Sequence, residues 1–196
     1  MGVRVTRRRA LARSGKIADI LQAHGQLDEA LKIRTDEELP VFERLGDARM
    51  AAIAAGQIAD ILQARGQLDE ALKIRNEEQL PVYERLGDVR SRAVTMAWIA
   101  NIFRDRGDLD GTVRALCEEV LPVYQRLGDA QELVRGRWQL AGILLRRAGE
   151  GDRDQARALL QLALNDARQM ALPAAQQIEQ FMRQAGLKVP SLELDF

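Results

Sequence analysis

The chain has 196 residues, enough for one ordinary domain with a sizeable core. Lys plus Arg and Asp plus Glu both total 29, and this neutral balance argues against a general nucleic-acid binder, which needs surplus basic residues facing phosphates. Charged residues make up 30% and aromatic residues only 4%, which favours a folded protein over a disordered one and helices over strands.

The scarcity of Cys and His excludes several kinds of chemistry. Cys117 is the only cysteine and His24 the only histidine, so an internal disulfide or a Cys/His metal cluster cannot form. A Ser-His-Asp or Cys-His arrangement would need His24, which occupies a repeated position at a helix end. We therefore expect no catalytic residue, no metal site and no cofactor.

No segment has the composition of a membrane span. The first ten residues contain several arginines but no apolar stretch, and no later run approaches the length that a bilayer requires. We therefore expect a cytoplasmic protein with no membrane or nucleic-acid partner.

Similar segments recur along the chain at a spacing of 41 residues. Residues 16–34 read KIADILQAHGQLDEALKIR and residues 57–75 read QIADILQARGQLDEALKIR, so that 17 of 19 positions are identical. A looser third copy covers residues 98–116, and a fourth, with three extra residues at its turn, covers residues 139–160. The motifs LPVFERLGD, LPVYERLGD and LPVYQRLGD follow the first three copies. The sequence therefore contains four repeats.

Each repeat predicts two antiparallel helices. In the second copy, Ile58, Ala59 and Leu62 follow helical spacing, and Gly66 supplies the left-handed residue that ends the first helix. The second helix runs to Gly87, and Asp88 is placed to cap the next repeat. One helix pair cannot bury its apolar face alone, so the copies are expected to stack into a solenoid.

After the fourth repeat, Pro173 is placed to begin another helix and Gly186 to end it. Ile178, Phe181 and Met182 share one face of this segment, and its other residues are polar, as a terminal capping helix requires. The predicted organisation is a lead-in at residues 1–5, one solenoid domain at 6–186 and a tail at 187–196. Within the solenoid, the repeats are 6–46, 47–87, 88–128 and 129–172, and the capping helix is 173–186.

The order of large, small and large apolar residues in the first helices resembles the tetratricopeptide repeat (TPR). These positions are Ile17-Ala18-Leu21, Ile58-Ala59-Leu62, Ile99-Ala100-Phe103 and Leu140-Ala141-Leu144. A small residue follows in the second helix at Ala30, Ala71 and Ala156, and Thr112 departs from this pattern. The 41-residue period is similar to the long-helix subtype found in kinesin light chains and bacterial sensor arrays. The resemblance implies an all-α, right-handed solenoid of four helix pairs with a capping helix.

Two departures from the family pattern lead to specific expectations. Pro40, Pro81 and Pro122 fall inside the predicted second helices, so we expect a kink near each; the alternative is that the helix ends and a short new one begins. Arg34 and Arg75 occupy a position where the family prefers a large apolar residue. We expect their stems to cover apolar surface and their heads to pair with nearby acidic residues, rather than to bind a ligand. These partners are Glu37, Glu38, Glu77 and Glu78.

In TPR arrays the first helices line a concave groove that holds a peptide or a partner's helix. The resemblance therefore implies the partner-binding residues Asp19, Gln22, Asp60, Gln63, Asn101, Arg104, Arg135 and Trp138. Gly15, Gly56 and Ala97 are expected to leave room for a ligand backbone. Asn101 matches a family position that often holds a peptide main chain, and the alternative for Trp138 is packing against the capping helix.

The leading hypothesis is a non-enzymatic scaffold that binds a peptide or a partner protein through this groove. One alternative is a structural module that self-associates through the first repeat, before which no capping helix is evident. Another is a fragment of a sensor array in a larger bacterial signalling protein. A basic N-terminal stretch is expected to be a solvated helix face, and the alternative is contact with an acidic partner. It consists of Arg4, Arg7, Arg8, Arg9 and Arg13.

Overall fold

The computed structural model describes residues 2–190, with side chains described from residue 13 onward. Of the predicted basic stretch, Arg4, Arg7, Arg8 and Arg9 therefore lie outside the described side chains, and Arg13 is exposed. Within residues 2–190 all regular secondary structure is helical, in agreement with the predicted all-α fold. The helices are α1 (Gly2–Ala23), α2 (Leu27–Lys32), α3 (Leu39–Arg44), α4 (Ala48–Ala64), α5 (Leu68–Ile74), α6 (Leu80–Arg85), α7 (Val89–Asp105), α8 (Leu109–Arg114), α9 (Leu121–Leu127), α10 (Ala130–Arg147), α11 (Asp152–Gln169) and α12 (Ala174–Gln184).

The helices pair within each repeat as the sequence predicts. Helix α1 packs against α2, α4 against α5, and α10 against α11, while α12 covers α11 as the predicted capping helix. Ile178 and Met182 of α12 are fully buried. The chain divides into two compact units, Met1–Thr95 and Met96–Phe196, with the division inside α7.

Left-handed glycines end the repeats, as predicted. Gly46, Gly87 and Gly128 have φ values of 65°, 62° and 65°, a conformation that side chains with a Cβ rarely adopt. The aspartate after each glycine then accepts a hydrogen bond from a backbone N–H in the first turn of the next helix, for example from Met50 to Asp47 at 3.1 Å. The Gly-Asp pairs therefore set the boundaries between the repeats.

The second helices of the first three repeats each contain a π-helical turn immediately before the proline. These turns are Ile33–Glu38, Arg75–Gln79 and Ala115–Val120. Leu39, which precedes Pro40, donates to the carbonyl of Arg34 five residues back instead of four. The regular α-helical hydrogen bonds are therefore interrupted before all three prolines, and the expected kink stays a prediction. The alternative of a helix end is wrong, because Glu38 and its two equivalents keep right-handed helical dihedrals.

The first large residue of the large-small-large pattern is buried in the last three repeats and exposed in the first. Ile58, Ile99 and Leu140 are 4%, 2% and 1% exposed, whereas Ile17 is 42% exposed. Ile17 therefore does not share the burial of its equivalents. Neighbouring Ile20 is 56% exposed, so α1 presents an apolar face.

Candidate functional site

The second unit contains an open groove with a volume of about 670 Å³. Its walls come from the end of α7, one face of α10 and the last turns of α12. Trp138 and Phe181 form an aromatic floor, with ring centroids 6.3 Å apart and planes inclined by 66°. Gly142 and Leu145 extend this floor along α10. Trp138 thus packs against the capping helix and also lines the groove.

Three arginines surround this apolar floor. Arg104, Arg135 and Arg146 all line the groove, and none of its lining residues is acidic. Arg104 donates to Asp105 through Nε and Nη2, at 3.0 and 2.8 Å, and Arg135 pairs with Glu132, one turn back on α10. The hydrogen bond to Glu132 raises the pKa of Arg135, so its guanidinium stays charged. Exposed pairs of this kind contribute little to stability.

Asn101 lies behind the groove and orients two of its lining residues. Its side-chain oxygen accepts from Arg104 Nη1 at 3.2 Å and from Gln139 Nε2 at 2.6 Å. The structure therefore gives Asn101 a positioning role toward Arg104 and Gln139. The expectation that Asn101 contacts a peptide main chain stays a prediction.

The predicted acidic residues of the first unit hold buried arginines. Arg34 and Arg75 are each 1% exposed. Arg34 pairs with Asp19 and with Glu38, and Arg75 pairs in the same way with Asp60. The expectation that each arginine head is paired is confirmed, but an aspartate on the preceding helix is one of its partners.

Other contacts are found at Gln79, Glu77 and Glu37. Arg75 Nη1 donates to Gln79 Oε1 at 3.0 Å. Glu77 instead lies 3.9 Å from Lys73, and Glu37 accepts from Ser14 at 2.9 Å. Glu78 has its pKa raised by partial burial and by the nearby charges of other glutamates.

The space beside Gly15 is filled by the side chain of Glu38, and the space beside Gly56 is filled by the side chain of Gln79. A Cβ at Gly15 would lie 2.9 Å from Glu38 Oε1, and one at Gly56 would collide with the amide of Gln79. Both glycines are buried. The expectation that they leave space for a ligand backbone is therefore wrong.

Arg75, Asp60 and Gln79 form a polar cluster in the second repeat, and burial shifts the pKa values of its charged groups. Desolvation raises the pKa of the Asp60 carboxyl, although the charge of Arg75 and its hydrogen bond oppose this change. Desolvation likewise lowers the pKa of Arg75, and Asp60 opposes it. Gln22 and Gln63, the other predicted residues of this unit, are half-buried, one turn beyond Asp19 and Asp60 respectively. Asp19 and Asp60 therefore pair with buried arginines, a structural role that the sequence did not predict.

The sequence contains a signal for these clusters, because all of their residues differ together between the second repeat and the third. The second repeat has Gly56, Asp60, Arg75 and Gln79 where the third has Ala97, Asn101, Leu116 and Val120. Leu116 and Val120 are fully buried, so the third repeat fills the same space with apolar side chains. Comparing the repeats position by position would have identified the cluster.

Two other features bear on chemistry. Cys117 is half-buried, and desolvation raises the pKa of its thiol, so the thiol stays protonated at neutral pH. No helix in the described part of the chain is both long and apolar enough to cross a bilayer.

Comparisons with known proteins bear on the fold. The chain is similar to BtubC (BKLC) from P. vanneervenii, with 16% identity, a TM-score of 0.56 and coverage of 96% of each chain. It is also similar to a Podosopora anserina protein of nearly identical TPR-like repeats assigned to the kinesin light chains, with 17% identity, a TM-score of 0.49 and coverage of 90% of this chain and 95% of that one. No family model and no curated protein matches the chain. The fold is that of a TPR-like repeat solenoid.

Proposed function

We propose that this protein is a non-enzymatic interaction scaffold whose groove on α7, α10 and α12 binds an extended peptide segment of a partner protein. The observation that supports this most is the aromatic floor of Trp138 and Phe181 between three arginines. TPR-like solenoids generally serve as interaction scaffolds, which agrees with this assignment.

The groove favours a segment that combines apolar and acidic side chains. Trp138, Leu145 and Phe181 offer an apolar surface on which a leucine or an aromatic ring gains binding energy by leaving water. Arg104 and Arg135 have planar guanidinium groups that match the geometry of carboxylates. A segment that alternates the two kinds of residue presents its apolar side chains to the floor and its carboxylates to the rim.

The predicted residues of the second unit divide into two roles in this proposal. Arg104, Arg135 and Trp138 contact the segment, and Asn101 holds Arg104 in place. In the first unit, Asp19 keeps 62% of its side chain exposed although it pairs with Arg34, so it stays a predicted contact of a larger partner. Asp60, Gln22 and Gln63 also stay predictions.

A fluorescence titration tests the groove. Trp138 becomes the only tryptophan when Trp98 is replaced by Phe, so its emission then reports on the groove alone. The probes are two eight-residue peptides, one alternating Leu with Glu and one alternating Leu with Lys. We expect the Leu/Glu peptide to bind and Arg104→Glu with Arg135→Glu to weaken it at least tenfold.

The matched control replaces Arg114 and Arg126, two exposed arginines of the same unit, with Glu. This variant has the same net charge as the groove variant and should bind like the unmodified chain. Equal binding of the two peptides, or equal loss of affinity in both charge variants, would contradict the proposal.

Self-association through the first repeat is the second candidate, favoured by the apolar face of α1. Ile20 is 56% exposed, whereas its equivalents Ile61, Ile102 and Ile143 are 0%, 0% and 3% exposed. An apolar face that is buried in three repeats and open in one is suited to a protein contact. Sedimentation velocity tests this, because Ile17→Ser with Ile20→Ser should dissociate the oligomer; an oligomer that this variant leaves unchanged excludes the candidate.

A further inference from the structure

We propose that the groove of one copy receives residues 191–196 of a second copy. This inference rests on the proposed function, because it assigns an occupant to the same groove. The sequence of residues 191–196 is Ser-Leu-Glu-Leu-Asp-Phe.

The segment has the chemistry that the groove selects. Leu192, Leu194 and Phe196 alternate with Glu193 and Asp195. In an extended chain, alternate side chains point to opposite faces, so this order separates an apolar edge from an acidic one. The apolar edge matches the aromatic floor, and the two carboxylates match the arginines at its rim.

The position of Pro190 favours a second copy over the segment's own groove. The Pro190 carbonyl accepts from Arg168 Nη1 at 3.2 Å, and the same Arg168 donates to Glu179 of α12 at 2.8 Å. Phe181, which lines the groove, follows Glu179 by two residues, and this separation is about 200° around a helix. Pro190 therefore lies on the side of α12 away from the groove.

The reach of the segment also favours a second copy. Six extended residues span about 20 Å. Part of that length is used in passing α12 before the segment meets its own groove, whereas the groove of a second copy can receive the whole segment. Reciprocal exchange between two copies joins them by two such contacts.

The test compares the oligomeric state of charge variants in the full chain by sedimentation velocity between 1 and 100 µM. We expect a concentration-dependent dimer whose dissociation constant rises at least tenfold in Glu193→Lys with Asp195→Lys. The matched control is Glu29→Lys with Glu70→Lys, which changes two exposed carboxylates at equivalent positions of the first two repeats. A dimer that both variants affect equally, or a monomer throughout the range, overturns the proposal.

Mixing two variants provides a direct test of exchange. Arg104→Glu with Arg135→Glu keeps the segment but loses the groove, and Glu193→Lys with Asp195→Lys keeps the groove but loses the segment. These two monomers can form only one of the two contacts. A one-to-one complex between them supports the proposal, and no complex at concentrations at which a free peptide of residues 187–196 binds the intact groove contradicts it. A dimer that only Ile17→Ser with Ile20→Ser dissociates assigns the contact to α1 instead and overturns this proposal.

A peptide of residues 187–196 separates this proposal from the proposed function. It is labelled and titrated into the Glu193→Lys, Asp195→Lys chain, whose groove is intact. If this peptide and the Leu/Glu peptide both bind, and both are lost with Arg104→Glu and Arg135→Glu, the proposal is supported. If only the Leu/Glu peptide binds, the groove function stands and the present inference falls; if neither binds, both fall.

Discussion

The contact between Gly56 and Gln79 links two positions that lie on different helices of the second repeat. Gln79 is 7% exposed and accepts a hydrogen bond from the buried guanidinium of Arg75, so its amide has little freedom to move. A side chain at position 56 would displace that amide. Glycine at position 56 is therefore a consequence of the polar side chain at position 79.

We expect Gly56→Ala to destabilise the protein by about 1–2 kcal/mol, although alanine is the better helix former, because it disturbs the buried hydrogen bond between Arg75 and Gln79. Adding Gln79→Val, which copies the third repeat, removes the collision. The free energy of unfolding from urea denaturation should then show that Gly56→Ala is less costly in the Gln79→Val background than alone. Equal costs in the two backgrounds would show that the two positions are independent.

The pairing of Arg75 illustrates what one sequence does and does not predict at this scale. Its place in an apolar position indicated a long stem with a paired head, and burial confirms this. Its partner Asp60 lies 15 residues earlier on the antiparallel helix, and such a pair depends on the register of two helices. Helical spacing predicts only neighbours three and four residues away, and it therefore pointed to Glu77 and Glu78.

Helix α7 begins at a capping aspartate whose protonation state affects stability. Asp88 accepts from the Ser91 backbone N–H at 3.0 Å and from the Ser91 hydroxyl at 2.8 Å, and it also pairs with Arg49. These contacts, the backbone hydrogen bond first, lower the pKa of Asp88 below the usual aspartate range. The folded state therefore binds this proton more weakly than the unfolded chain does.

The resulting stabilisation is present above about pH 4, the ordinary aspartate pKa, and is lost as the pH falls through the lower pKa of the folded state. We expect Asp88→Ala to lower the free energy of unfolding by about 1 kcal/mol at pH 7. The difference from the unmodified chain should shrink as the pH falls below about 4, as measured by urea unfolding. Glu29→Gln, at an exposed carboxylate, serves as a control, and a difference that does not shrink on acidification would exclude the mechanism.

The effect of the prolines in the second helices on stability can also be measured by urea unfolding. Proline normally loses a hydrogen bond and collides with the carbonyl four residues back, but the wider π-helical turn Arg75–Gln79 precedes Pro81 and relieves both. We expect Pro81→Ala to change the free energy of unfolding by less than about 1 kcal/mol. Lys73→Pro, placed in the regular helix α5, should cost about 3 kcal/mol or more.

Far-ultraviolet circular dichroism and urea unfolding measure both variants. A loss for Pro81→Ala as large as that for Lys73→Pro would mean that the proline itself maintains the π-helical turn. The sequence predicted an interruption here because proline lacks an N–H. It did not predict a π turn, since the choice between a wider turn and a helix end depends on packing on both sides of the proline, where Arg75 and Tyr83 are buried.

At the scale of the whole molecule, the regular spacing of the repeats made the fold predictable. Glycine ends, aspartate caps and the capping helix α12 all follow from local patterns that occur several times in the chain. The groove required more, because Phe181 comes from the capping helix and Arg104 from the third repeat. The sequence placed Trp138 and the arginines in one row and offered packing of Trp138 against the capping helix as an alternative, but it did not predict that Phe181 would line the same groove.

Stability should differ between the first repeat and the second, although residues 16–34 and 57–75 are identical at 17 of 19 positions. Ile20 is 56% exposed and Ile61 is fully buried, so the same side chain contributes different amounts of burial. We expect Ile61→Ala to cost about 2–5 kcal/mol and Ile20→Ala less than about 1 kcal/mol. In a repeat protein, where each repeat is stabilised by its neighbours, α1 should also exchange its amide hydrogens before α4. Urea unfolding of the two variants and hydrogen exchange of the unmodified chain measure this, and equal costs or equal protection would mean that another surface covers Ile20 in solution.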